Sequence, residues 1–319
     1  MGAIGSSMRT IVFGISPREV TCLRRGFQPK TSMVCARLEQ IGTTFLAGYH
    51  TVLRDPRVIE VERQLNRIDL EVRGFAFEGA AMAFTLLDVL MPQRSSRFLQ
   101  FVQGPAADHV YMSYVGAGWA HARLHRRFDR LRSAGDPLLG WLAVDGYGFH
   151  EGYFHGRRYL TTQHWPRRLA GYERRVFDQG FGRSLWFVKA MDVEVIAQTI
   201  AAFAPGRHSD LWSGVGLACA YAGGVDQSTL IALRDAAGPC VPQVAQGVAF
   251  AAKTRKRAGH LPEHTESAAR ILCGMSAHQA AAITDQSLKD LAAERDTPAY
   301  EIWRQRIQSC FGGAIAYER

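Results

Sequence analysis

A chain of 319 residues with 47% apolar and 21% charged side chains is no disordered segment, and it is long enough to bury one large core or two ordinary ones. Its formal charge of +9 and pI near 9.5 favour anionic partners, whether acidic carrier proteins, phosphorylated ligands or nucleic acid, without choosing among them. The six cysteines stand singly with no CxxC pair, which argues against a zinc ribbon or a thioredoxin-like site and for reduced thiols in the cytoplasm.

Residues 1–15 read as a flexible lead without the long apolar run of a signal peptide. Ser16-Pro17-Arg18-Glu19 then reads as a helix start, with a serine cap, proline in the first turn and glutamate at the third position. It opens a single domain over residues 16–319. Residues 35–53 carry Leu38, Ile41, Phe45, Leu46, Tyr49 and Leu53 at helical spacing, and Asp55-Pro56 ends that run. The longest apolar stretches, 74–91 and 192–204, are interrupted by Glu78 and Asp88 or by Glu194 and Gln198, so no membrane span is expected.

From Gly42 onward a pattern recurs. Seven segments place a glycine ahead of small and then large apolar residues: IGTTFLAG, EGAAMAFT, VGAGWAHA, EGYFHGRR, QGFGRSLW, SGVGLACA and QGVAFAAK, centred on Gly42, Gly79, Gly116, Gly152, Gly180, Gly214 and Gly247. Their intervals of 37, 37, 36, 28, 34 and 33 residues suit a two-helix repeat of the tetratricopeptide or HEAT kind. Breakers such as Gly104-Pro105, Asp136-Pro137 and Gly238-Pro239 punctuate the intervals, and strand signals are scarce. The expected fold is therefore all-α: a right-handed stack of antiparallel helix pairs, an α-solenoid. Residues 268–291 are expected to cap it, and the tail to Arg319 to add a last amphipathic helix.

In this register the residue before each glycine and the residue three after it share a helix face. The column so defined includes Glu78, Trp119, Glu151, His155, Gln179 and Arg183 among large apolar residues, and reads as the wall of a ligand groove. Its densest register is VDGYGFHEGYFHGRR, residues 144–158, with Asp145, Tyr147, His150, Glu151 and His155. Three readings stay open there. One has Glu151 and His155 stabilise the helix as an i,i+4 pair, a second gives the group acid–base work or ligand binding, and a third gives it a metal. The zinc-peptidase motif needs histidines four apart; these stand five apart, splayed by roughly 500° rather than 400° of helical turn, so no metal is assigned. Acid–base candidates are Glu151, His155, His150 and Asp145. Ligand-binding candidates are Glu78, Trp119, Tyr147, Asp178, Gln179, Arg183 and Trp186, the last four from FDQGFGRSLWF. That segment lacks the lysine of a phosphate loop, and WSGVG lacks the nucleophile-elbow pattern. Arginine-rich runs, RLHRRFDRLR over 123–132 foremost, read as solvated rims, and no nucleic-acid-binding motif accompanies them.

FGISPREVTCLRRGF, FLAGYH, GFAFEGAAM, VYMSYVGAGWA, WLAVDGYGFHEGYFH, FDQGFGRSLWF and DLWSGVGLACAYAGGV, spread from about Phe13 to about Thr284, resemble a family of uncharacterised actinobacterial proteins encoded beside enediyne polyketide synthases, the UnbL type. The resemblance implies a part in forming or maturing the enediyne core from a polyene polyketide. It also implies company: the iterative synthase and its carrier domain, a thioesterase, and companions of the UnbV and UnbU types. It supplies no mechanism, no cofactor and no catalytic residues. The leading expectation is an accessory protein that binds the polyene in an apolar groove, with an enzyme or a scaffold for biosynthetic partners as alternatives.

Overall fold

The computed structural model describes the backbone of residues 2–128, 135–292 and 297–312, with side chains from Met8 onward. Residues 129–132 of the longest arginine run and the tail beyond Gly312 lie outside the described residues. About 74% of the chain is helix, and no strand occurs among the described residues. Nor is any described helix long and apolar enough to cross a membrane.

Seven long helices carry the glycine segments. They are α1 (Ser32–Arg54), α2 (Leu70–Leu90), α3 (Val110–Arg123), α4 (Trp141–Thr162), α5 (Glu173–Val188), α6 (Pro205–Ala222) and α7 (Val241–Arg257). Shorter helices lie between most of them: Val58–Leu65 before α2, Arg97–Gln103 before α3, Val193–Ala201 before α6, Gln227–Ala237 before α7 and Glu263–Cys273 after it, whereas α4 runs into α5 through turns with no helix between. Several helix starts are capped as the sequence chemistry demands. The side chains of Asp69, Ser96, Asp192 and Asp226 each accept from a first-turn amide, and Ser276 with Gln279 forms a full capping box. Ser16 does cap a helical turn, but a 3-10 one, Pro17–Val20. The lead expected to be flexible is a helix, Gly2–Phe13: Arg9 Nε donates to the Leu53 carbonyl (2.8 Å), and the Tyr49 hydroxyl to that of Phe13 (2.8 Å).

Two compact units divide the chain, Met1–Gln28 with Cys35–Tyr147 and Pro29–Val34 with Gly148–Arg319. The first holds α1 to α3 and the start of α4. Phe101 packs in its core against Phe77 and Phe84, at ring-centroid distances of 5.6 and 4.9 Å. The second holds the rest of α4 and α5 to α7, closed by the helices Ala277–Gln286 and Ala299–Ser309; there Trp303 of the last helix packs 4.6 Å from Phe250.

One rule of contact runs through both units. In α2, α3, α4, α6 and α7 a glycine meets a carbonyl of the preceding long helix: Gly79 meets Phe45, Gly116 Glu78, Gly146 Val115, Gly214 Gln179 and Gly247 Ser213. A second glycine meets the following helix: Gly48 faces Ala76, Gly118 Ala143, Gly148 Phe177, Gly182 Leu211 and Gly216 Val244. A methyl group at any of these ten positions would lie 1.9–2.3 Å from the facing carbonyl oxygen. The G-x-G spacing thus gives one glycine to each neighbour, with backbones close enough for Cα–H to carbonyl contact.

This rule corrects the register expected in two helices. In α4 the repeating glycine is Gly146, paired with Gly148, and not Gly152, which abuts the Ser184 side chain instead. In α1 it is Gly48 that approaches the next helix, while Gly42 abuts Val20. Asp145, not Glu151, therefore holds in its helix the place before the glycine that Glu78, Gln179, Ser213 and Gln246 hold in theirs. Because the residue before the glycine sits at a helix crossing, its side chain is enclosed: Glu78 is 4% exposed, and Asp145, Gln179, Ser213 and Gln246 are at 0%.

His121 in α3 shows what that enclosure does to a titrating group. Burial lowers its pKa to about 4, against backbone groups of Arg126 and Arg127 that pull upward. The folded state therefore keeps it neutral where the unfolded chain, near 6.5, takes up a proton. Its contribution is complete above pH 6.5, erodes as pH falls toward 4, and is flat below, for a total of no more than about 3 kcal/mol. Thermal melts of the protein and of His121→Phe between pH 7 and pH 4 should converge over that window; parallel curves would refute this assignment.

Candidate functional site

Most of the residues singled out from sequence are buried between the helices of their own unit. Trp119 is buried against Phe45, with ring centroids 4.7 Å apart, and Tyr147 stands edge-on to Phe128 at 5.4 Å. Gln179 Nε2 donates to the Tyr300 hydroxyl (3.1 Å), Arg183 lies over the Phe149 ring, and Trp186 is fully buried. Asp178 is held by Arg207, Nε to Oδ2 at 2.9 Å and Nη2 to Oδ1 at 2.5 Å, and by the Trp165 indole N–H at 3.1 Å. Burial pushes its carboxyl up to about 6 even though Arg207 pulls it down. An open cleft of about 800 Å³ beside Arg57, Ile59, Arg63, Arg97 and Gln100 contains none of the residues singled out.

His150, Glu151 and His155 do come together. Each offers a ligand atom, and these atoms lie within 4.8 Å of one another. The regular helix that would splay the two imidazoles ends here: His155 takes φ −127° and ψ 16°, a break inside α4. Its ring centroid lies 6.0 Å from that of His150. His150 Nδ1 stands 3.2 Å from Glu151 Oε1, and the Tyr159 hydroxyl donates to Glu151 Oε2 at 2.5 Å. His150 and Glu151 are both 7% exposed and Tyr159 is buried, whereas His155 opens to solvent. Asp145, the fourth acid–base candidate, is fully buried in the first unit, six residues before Glu151.

Burial alone would raise the Glu151 carboxyl. The hydrogen bonds from His150 and Tyr159, and the positive charge available on His150 and His155, outweigh it and hold the group below its usual value. Glu151 is thus an ionised carboxylate at neutral pH, clasped on one oxygen by an imidazole and on the other by a phenol.

The sequence model of the family described as "Protein of unknown function (DUF1702)" matches residues 4–311. The chain belongs to the DUF1702 family. No curated protein and no solved structure matches it.

In this DUF1702 chain the cluster joins a buried, charged carboxylate to an exposed imidazole through groups that each give or take a proton, the arrangement acid–base work needs. Tyr159 was not singled out from sequence. Its signal was its place eight residues after Glu151 and four after His155, the tyrosine of HGRRYL. A second cluster of this chain also went unread. Cys22, Cys35 and Glu39 bring ligand atoms within 4.8 Å of one another, although the cysteines lie thirteen positions apart. Burial first, and the neighbouring Cys35 second, push the Cys22 thiol up to about 12, which makes it a poor nucleophile.

Proposed function

We propose that this protein takes part in forming or maturing an enediyne core and acts on a polyene polyketide intermediate at the His150–Glu151–Tyr159–His155 cluster. The pathway rests on the resemblance of seven long motifs to the UnbL type. What carries the chemical part is the ionised Glu151, buried yet one residue from His150 and open to solvent through His155. This favours acid–base or metal-assisted chemistry over passive binding in a groove, because Glu78, Trp119, Gln179 and Arg183 are enclosed between helices. A net charge of +9 suits delivery of the intermediate on an acidic synthase carrier domain, with UnbV- and UnbU-type companions as further partners.

The test is genetic and chemical together. Deleting the gene in a producing strain should stop the enediyne and let polyene products accumulate. The unaltered gene should restore the product, and Glu151→Gln should not, although the variant protein is present at normal level. A Glu151→Gln strain that makes the enediyne in full would sink the reading.

A further inference from the structure

The same cluster has the donor set of a metal centre. We propose that His150, Glu151 and His155 bind one divalent transition-metal ion of the zinc or ferrous class, with Tyr159 as the anchor of its carboxylate ligand. The proposal rests on the reading of this cluster as the functional centre, and it adds what the cluster holds.

Four observations carry it. Two imidazoles and one carboxylate are the ligands of open zinc sites and of ferrous facial triads, and they do not suit calcium or magnesium. Donors about 2.0–2.1 Å from a tetrahedral ion stand roughly 3.3 Å from each other, and His150 Nδ1 already lies 3.2 Å from Glu151 Oε1. The remaining donor needs to move inward from within 4.8 Å, and it belongs to His155, the exposed member at the helix break. Finally, the Tyr159 hydroxyl occupies Oε2, which orients the carboxylate and leaves Oε1 for the ion.

The five-residue spacing that argued against a metal applies to a regular helix. The break at His155 removes that objection. Three protein ligands leave a coordination position on the solvent side for water or a substrate oxygen, as in catalytic rather than structural sites.

The decisive experiment titrates the metal-free full chain with zinc, with cobalt as an optical probe, and with ferrous iron under anaerobic conditions. One equivalent per chain is expected at micromolar concentration or below, with the ion that binds tightest naming the class. His155→Ala, which alters an exposed side chain, should abolish that equivalent. Tyr159→Phe should weaken it by roughly tenfold or more. Cys35→Ser should leave it intact, and the cobalt spectrum should lack thiolate bands. No stoichiometric binding by any of the three ions, binding untouched by His155→Ala, or binding lost in Cys35→Ser would each overturn the proposal. The two readings separate cleanly. If the ion does not bind while Glu151→Gln still fails to restore the enediyne, the metal inference falls and the proposed function stands; if the ion binds while Glu151→Gln restores it, the reverse holds.

Discussion

Gly214→Ala is expected to destabilise the protein by about 3 kcal/mol or more, and to do so although alanine is the better helix former. The added methyl would lie 1.9 Å from the Gln179 carbonyl oxygen and 2.6 Å from the Arg183 amide nitrogen. Both are backbone atoms of a helix that is itself fixed on its far side, so no side chain can swing away to make room. Helix propensity would return only about 1 kcal/mol. Relief requires α5 and α6 to separate along the seam where Gly182 meets the fully buried Leu211, and that separation opens voids. Gly206→Ala is the control within the same helix. Nothing lies within 4 Å of its new methyl group, so it should be neutral or slightly stabilising. Melting followed by circular dichroism compares the two, and a Gly214→Ala midpoint equal to that of the unaltered protein would refute the crossing-glycine account.

That seam also explains what could be read beforehand and what could not. Small residues at intervals of about 34 are visible in a string of letters, and with them come the long helices and most of the buried face of α1. The partner of each glycine is not visible. DGYGFHEG offers three glycines within seven residues, and only the approach of the Val115 and Phe177 carbonyls distinguishes Gly146 and Gly148 from Gly152. The candidate site was legible as composition, since His150, Glu151 and His155 stand in the densest polar stretch. Its geometry was not, because periodicity assumes a regular helix and His155 leaves it. Contacts that span long stretches of chain were beyond periodicity altogether. Asp178 finds Arg207 twenty-nine positions away, and the last helix returns to α5 and α6 through charges that no local pattern links.

Those charges carry the second large effect. Arg304→Met is expected to lower stability by about 3–5 kcal/mol, the range for breaking a buried ion pair from one side. Arg304 is fully buried and donates through Nη2 to Asp210 Oδ1 (2.7 Å), through Nη1 to Glu301 Oε2 (3.3 Å) and through Nε to Gln246 Oε1 (3.3 Å). Arg175 closes the network from its rim, reaching Asp210 Oδ2 at 2.9 Å and Glu301 Oε1 at 2.7 Å, while the Tyr172 hydroxyl donates to Glu301 Oε2 at 2.6 Å. Methionine fills much of the arginine volume, so the loss is electrostatic: two buried carboxylates are left to one half-exposed guanidinium. Arg304→Lys should fail nearly as badly, because a single ammonium cannot present the planar fork that reaches Asp210, Glu301 and Gln246 together. Arg175→Ala should lose less, its side chain being partly solvated. The discriminating variant is Asp210→Asn on the Arg304→Met background, which removes one orphaned charge and should recover part of the stability in urea titrations. If Arg304→Met alone unfolds at the same urea concentration as the unaltered protein, the network contributes nothing to holding the last helix in place.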